Sequence, residues 1–330
     1  MLSYSSVFDE PWWYEAATGG SWRKVEFDDG KVLAASLVYS TYREGGLRIV
    51  GMPHLARVMQ PTIKFHSVEA RRNLSHVIRA LQGLSEQLPK FDRFSYTLAP
   101  DSDLDLAFNL AGFTVTTSFT FRTRQDPDYD PLREMDQKVR YNIKTGLKRM
   151  QVVEHTDVER YIRLSQSFIG DRAFKDNVDY GAIRRIMAAA VDRGQAIILA
   201  CVDETGADMA SAVLLTDSRY LYYWLNSRNP AANEGAANSV LIWKSIEKAR
   251  ALGLTFDMDG YAKANTGVFL SRFGLIPQRR SEISMVTNAA TLRMAAASHV
   301  RSLVGPKLRQ KLLSIRNTVS GRKSPMSQAS

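Results

Sequence analysis

The sequence predicts an α/β (α+β) fold made of two tandem copies of one unit, and three observations carry that expectation. Strand-like and helix-like segments alternate along the chain. Their order repeats: each half runs hairpin, strand, long helix, strand, short helix ending in Gly, strand. Residues repeat with the order. "DDGKVLAASLVY" parallels "ETGADMASAVLL", and "LAFNLAGFTVTTSFTF" (106–121) parallels "VFLSRFGLIPQRRSEI" (268–283), with Gly112 opposite Gly274. A repeat this long is far beyond a solenoid period and reads as domain duplication.

In the first half, "WRKVEF" (22–27), the turn "DDG" and "KVLAASLVYSTY" (31–42) form a hairpin. "LRIVGM" is a third strand. Residues 68–88 are a helix, with Leu74, Val77, Ile78, Leu81, Leu84 and Leu88 at helical spacing. "RFSYTLA" is a strand, "DLDLAFNLAGF" a short helix ending at Gly112, and "TVTTSFTFRT" a β-rich strand. The acidic, proline-bearing "QDPDYDPL" (125–132) marks a boundary.

In the second half, helices are expected at 133–150, 157–168 and 179–193. A hairpin follows, "QAIILACVD" and "MASAVLLTD" around the turn "ETGAD", and "SRYLYYWLNS" extends it. "ANSVLIWKSIEKARALG" (237–253) is a helix whose Val240, Trp243, Ile246 and Ala249 make one apolar stripe. "LTFDMD" is a strand, "TGVFLSRFG" a short helix and "RRSEISMV" a last strand. The domains predicted are thus 1–126, 127–288 and a basic tail at 289–330.

Composition narrows the functional classes. The chain has 330 residues, 45% hydrophobic and 24% charged, ordinary values for a globular protein. No apolar run approaches a membrane span, and the opening residues lack the regions of a signal peptide. With Cys201 alone no internal disulfide forms, so a reducing, cytoplasmic setting is expected. The five histidines are scattered without cysteine partners, so no metal is expected. Cys201 sits in a strand pattern and reads as core rather than nucleophile. Eight of the ten net positive charges fall after Glu282, in a helix-compatible tail where Leu303, Leu308, Leu312 and Ile315 alternate with basic residues. Such a tail fits an anionic membrane surface, the body of the protein or a nucleic acid.

Three stretches carry chemistry. In "NEGAANSVLIW" (233–243) a small-residue turn runs into a helix. It is either a plain helix start or a cradle in which backbone N–H groups and the helix dipole face a phosphate. The cradle reading names Asn233, Gly235, Ala236, Ala237, Asn238 and Ser239. In "QKVRYNIKTGLKRM", Arg140 and Lys144 are four apart on one helix face, either solvated or suited to a phosphorylated acceptor. In "TFDMDGYAK", Asp257 and Asp259 would share a face if the strand runs through both. They either cap the following turn and helix, or Asp257 supplies a general base while one of the pair is held protonated or orients the acceptor. Tyr261 and Lys263 could protonate or stabilise a leaving group.

The run "MASAVLLTD", "RYLYYWLNS", "NEGAANSVLIWKSIEKA", "LTFDMDG", "FLSRFGL" resembles the GNAT acyltransferase fold, in the duplicated form of Fem-type aminoacyltransferases and acyltransferases of polysaccharide loci. The resemblance spans about residues 8–288. It implies two tandem GNAT-like domains, each a mixed, mostly antiparallel sheet flanked by helices. It also implies a donor pyrophosphate at the loop before the 237–253 helix. There the sequence departs from the pattern. Ala232 stands where Gln or Arg is usual, leaving Arg228 as the nearest substitute, and Leu270 stands where a tyrosine often acts as acid. The first half lacks a comparable Gly loop and would serve as scaffold or acceptor wall. Tyr223, Trp224 and Arg272 join Arg140 and Lys144 as expected acceptor contacts.

The function expected is transfer of an acyl group from acyl-CoA (acetyl-CoA foremost) to an amine or hydroxyl of a cell-envelope or exopolysaccharide precursor. That acceptor would be a small or lipid-linked phosphorylated molecule. Two alternatives stay open: an aminoacyl-tRNA-dependent Fem-type enzyme, and a binding protein that kept the fold after losing catalysis.

Overall fold

The protein is described from a computed structural model, covering residues 6–30, 33–67, 73–126, 128–169, 178–229, 236–260 and 264–292. The basic tail expected at 289–330 lies almost entirely outside the described residues.

Among the described residues twelve strands form one mixed, mostly antiparallel sheet flanked by helices. The first half contributes α1 (Pro11–Thr18), β1 (Arg23–Asp28), β2 (Leu33–Glu44), β3 (Leu47–Gly51), β4 (Thr62–Phe65), α2 (Leu74–Glu86), β5 (Arg93–Thr97), α3 (Asp105–Leu110) and β6 (Thr114–Arg122). The second contributes α4 (Pro131–Glu134), α5 (Gln137–Gly146), β7 (Met150–His155), α6 (Val158–Ile169), α7 (Tyr180–Asp192), β8 (Ala196–Asp203), β9 (Asp208–Thr216), β10 (Tyr220–Arg228), α8 (Ala236–Ala251), β11 (Thr255–Asp257), α9 (Ala264–Leu270) and β12 (Ile276–Val286).

Three elements escape the sequence reading. Residues 133–150 are not one helix. Met135 turns to extended backbone after α4, Asp136 caps α5 by accepting from the Lys138 N–H, and the chain is a strand from Met150 on. The short α1 is set by Pro11 at its first turn and by Gly19 in the left-handed region at its end. β4 is a four-residue edge strand on β2.

The strand order is β1-β2-β3-β5-β12-β6-β11-β10-β9-β8-β7. The two halves therefore exchange their last strands. β12, from the second half, lies between β5 and β6, while β6, from the first, reaches across to pair with β11. The β6–β12 ladder runs from Thr114–Ser284 to Arg122–Ile276 and is the seam of the molecule.

Two cores follow. One gathers α2, α3, Phe94, Tyr96 and Ile283 together with Trp13 of α1, Ile186 of α7 and Tyr222 and Trp224 of β10. Phe8 and Trp13 reach the second half's sheet by edge-on contacts with Tyr222 and Trp224. The other core packs α5 and α8 against Leu214, Leu221 and Phe256. Among the described residues no helix is long and apolar enough to cross a membrane.

The paired glycines of the repeat both have positive φ, +96° at Gly112 and +68° at Gly274. A Cβ on Gly112 would meet nothing within 4 Å, whereas on Gly274 it would lie 2.7 Å from the Pro131 carbonyl oxygen. Gly112→Ala is expected to cost only the left-handed penalty of about 1–2 kcal/mol. Gly274→Ala adds an overpacking cost of about 1–3 kcal/mol. Urea unfolding of the two variants checks this, and equal losses would contradict the packing at Gly274.

Candidate active site

At the seam sits a cluster of buried charge. β11 ends at Asp257, which is 3% exposed. Its register partners Tyr222 and Arg122 put all three side chains on one face of the sheet. Arg122 Nε donates to Asp257 Oδ2 at 2.7 Å, and Thr120 Oγ donates to Oδ1 at 2.5 Å. The Asp259 N–H donates to the same Oδ1 at 2.8 Å. Both carboxylate oxygens are thus engaged. Arg122 also reaches Asp101 Oδ1 (3.2 Å) and Tyr220 Oη (3.1 Å), and its guanidinium lies 4.1 Å over the Tyr220 ring. Burial works against the guanidinium's charge, but Asp257, Tyr220 and Asp101 outweigh it and hold Arg122 above its ordinary range.

Asp259 differs from the sequence expectation. The strand stops at Asp257, so strand alternation does not place Asp259; a turn with φ +61° does. The Asp257 carboxylate bonds the Asp259 N–H and folds the chain back on itself, the local bond that makes Asp a turn former. The Asp259 side chain, 5% exposed, lies between two arginines. Arg57 Nε is 2.6 Å from Oδ2, though its N–H does not point along that line, and Arg280 Nη1 is 3.3 Å from Oδ1. Gly260 follows at φ +77°, where a Cβ would strike the Arg280 guanidinium at 2.2 Å. Burial pushes the Asp259 carboxyl up to about 6, against the pull of Arg57 and Arg280 and with the push of Asp257.

The cluster faces an opening in the sheet. β10 pairs with β11 only from Tyr220 to Tyr222 and then runs six residues further. Trp224 is bulged out of the β9 ladder. Its carbonyl accepts from Arg57 Nη2 at 2.8 Å, and its indole N–H donates to the Leu55 carbonyl at 3.1 Å. Arg57 therefore bridges the opening, from the β10 edge to Asp259. Leu55 (φ +66°) and Asp259 are the only non-glycine residues with positive φ among those described, and both lie here. Strain of this kind collects at functional sites. Asp9 braces the same loop by accepting from the Gln60 N–H at 3.1 Å.

The other sequence candidates divide. Asn233, Gly235, Tyr261 and Lys263 lie outside the described residues. Ala236, Ala237, Asn238 and Ser239 form the first turn of α8, beside the far end of β10. Asn238 Oδ1 accepts from Tyr223 Oη (3.2 Å) and Asn226 Nδ2 (3.3 Å), tying helix start to strand. Tyr223 and Trp224 are buried rather than presented to a ligand, because each packs into a core. Arg228 is exposed at the end of β10. Arg140 and Lys144 are on the exposed side of α5, which packs with α8 on the face opposite Asp257, so the structure does not bring them to the cluster. Arg272 is exposed in a 3₁₀ turn after α9. Cys201 is buried beside Met150, and burial pushes its thiol up to about 12. Asp28, Asp29 and His66, at the outer strands, could hold a metal ion by geometry, but Asp29 already pairs with Arg79 at 2.7 Å.

Arg57, Thr120, Arg122 and Arg280 were not legible as site residues. They come from a loop and from two exchanged strands, and no local motif marks them.

Residues 133–264 match the acetyltransferase (GNAT) domain family. No curated protein sequence matches the chain. Among solved structures, FemX is similar at 13% identity and TM-score 0.60, over 89% of this chain and 96% of that one. The C-terminal DUF2156 domain of an Agrobacterium fabrum protein assigned as a lysylphosphatidylglycerol synthetase matches at 13% identity and TM-score 0.54, over 90% and 93%. L-PGS from Bacillus licheniformis matches at 11% and 0.54, over 87% and 96%. At these identities the likeness is one of fold.

Truncating Arg122 to Met strands the buried Asp257 carboxylate and is expected to cost about 3–5 kcal/mol. Adding Asp257→Leu removes the stranded charge and is expected to restore much of the loss. Denaturant midpoints of the single and double variants check this; a harmless Arg122→Met would show that the pair does not hold the seam.

Proposed function

We propose that this chain, a GNAT-fold protein similar to FemX, is an acyltransferase whose chemistry takes place where β10 and β11 part. The observation that carries the reading is the coincidence, where β10 and β11 part, of a bulged strand edge, a buried carboxyl pushed up to about 6 and two residues of positive φ, Asp259 itself and Leu55 from the first half.

The donor supplies an activated acyl carbonyl, with acyl-CoA the leading candidate. The first turn of α8, at the end of β10, fits its phosphates, since a helix N-terminus presents N–H groups and positive dipole. Arg57, seated on the Trp224 carbonyl, is the cation available to a carbonyl oxygen in the opening. Asp259 is the general base. It takes the proton that the acceptor amine or hydroxyl loses as its bond to the acyl carbon forms and the bond to the leaving group breaks. Asp257, with both oxygens engaged, positions Asp259 through the backbone N–H. Tyr261 and Lys263 remain the sequence candidates for the leaving group's proton. The acceptor we favour is a phosphorylated, lipid-linked or small envelope precursor.

A second reading, an aminoacyl donor carried on tRNA, rests on the sequence's resemblance to Fem-type aminoacyltransferases. The absence of Gln or Arg at Ala232 supports it. Thermal shift separates the two. Acetyl-CoA at about a hundred times its Kd is expected to add about 2.7 kcal/mol of stability. No shift with any acyl-CoA, together with salt-sensitive binding of charged tRNA, would transfer the assignment to the second reading.

With whichever donor is active, kcat/KM is expected to rise with pH through about 6, because the base works as the carboxylate. Asp259→Asn is expected to lower the rate about 10²–10⁴-fold and to abolish that limb. A variant that keeps the full rate would remove Asp259 from the mechanism.

A further inference from the structure

A second cluster of cations lies at the far end of the first half, away from the seam. The β2–β3 register sets Arg43 directly opposite Arg48. Like charges in that arrangement repel, and a hairpin gains nothing by keeping them unless an anion lies between. Lys90, on the loop between α2 and β5, closes over the same place. Two shallow, open depressions meet there, sharing Arg48, Pro89 and Lys90 in their lining.

The local acid does not neutralise the cluster. Asp92 is buried, accepting from the Arg48 N–H at 2.8 Å with Arg48 Nε at 3.7 Å. Among the described residues Arg43 and Lys90 have no carboxylate in ion-pair reach. Three cations against one committed carboxylate leave the groove's lining two positive charges in excess. That excess matches a phosphate monoester, which carries roughly −1.5 to −2 at neutral pH. Two guanidinium groups side by side suit its oxygens better than point charges would.

We propose that the groove between the β2–β3 hairpin and the 88–92 loop binds a phosphate group, either the headgroup of an anionic lipid or the phosphate of a soluble molecule. The inference is independent of the acyl-transfer reading, because none of these residues touches the seam.

The test uses the full chain and inorganic pyrophosphate at low salt. Saturable binding is expected, weakened at least tenfold in R43Q/K90Q. The ligand-free R43Q variant is expected to melt no lower than the parent, because it relieves the Arg43–Arg48 repulsion. Should the double variant not fold, K90Q alone on its exposed loop keeps the binding comparison. Vesicles of phosphatidylcholine with phosphatidylglycerol then identify the source. Displacement of pyrophosphate by these vesicles, and not by phosphatidylcholine alone, supports a headgroup site; undisturbed pyrophosphate binding supports a soluble ligand. Absence of saturable binding, or equal affinity in parent and variants, would overturn the proposal.

Discussion

The buried pair Arg122–Asp257 is the constraint on which the site depends. Arg122 ends β6, the strand the first half lends to the second, and Asp257 ends β11. Two ions taken from water gain stability only when their geometry is good and their remaining valences are filled. Here Thr120, Tyr220, Asp101 and the Asp259 N–H fill them. The bond to Asp259 has a further consequence. It fixes a turn that an aspartate adopts at a cost, and so holds a second carboxyl in a dry position between Arg57 and Arg280. One pair thus joins the halves, ends the strand and aims the group that titrates.

Strand exchange explains why the site needs both halves. Arg57 comes from a loop of the first and bridges an opening in the second. Arg280 comes from β12, which lies in the sheet of the first. Neither half alone contains the set of charges around Asp259. Desolvation is strong there, because the Asp259 side chain is buried. It outweighs two neighbouring arginines in setting the Asp259 carboxyl near 6.

Much of this was legible in the sequence. The repeat gave the element order, and the aligned Gly112 and Gly274 both have positive φ. The stretch "TFDMDGYAK" pointed to the strand end, and both of its aspartate side chains are buried there. It misled on geometry, since period-two reasoning carried the strand past Asp257, where a side chain–backbone bond turns the chain. It put Asp257 first as the base; nothing local reveals that Arg122, 135 residues earlier, bonds that carboxylate. Periodicity shows which face a side chain takes, not which strands meet, and the exchange of β6 and β12 is a matter of long-range pairing. β7 was hidden for a simpler reason: it follows a basic helix with only three turn residues between, so the pattern looked continuous.

The central claim is that Asp259, not Asp257, is the carboxyl poised for proton transfer. A ¹³C NMR titration of aspartate side-chain carboxyls, with the resonance assigned through Asp259→Asn, tests it most directly. The account predicts a midpoint near 6 for Asp259. A midpoint near the ordinary value of about 3.9 would contradict it.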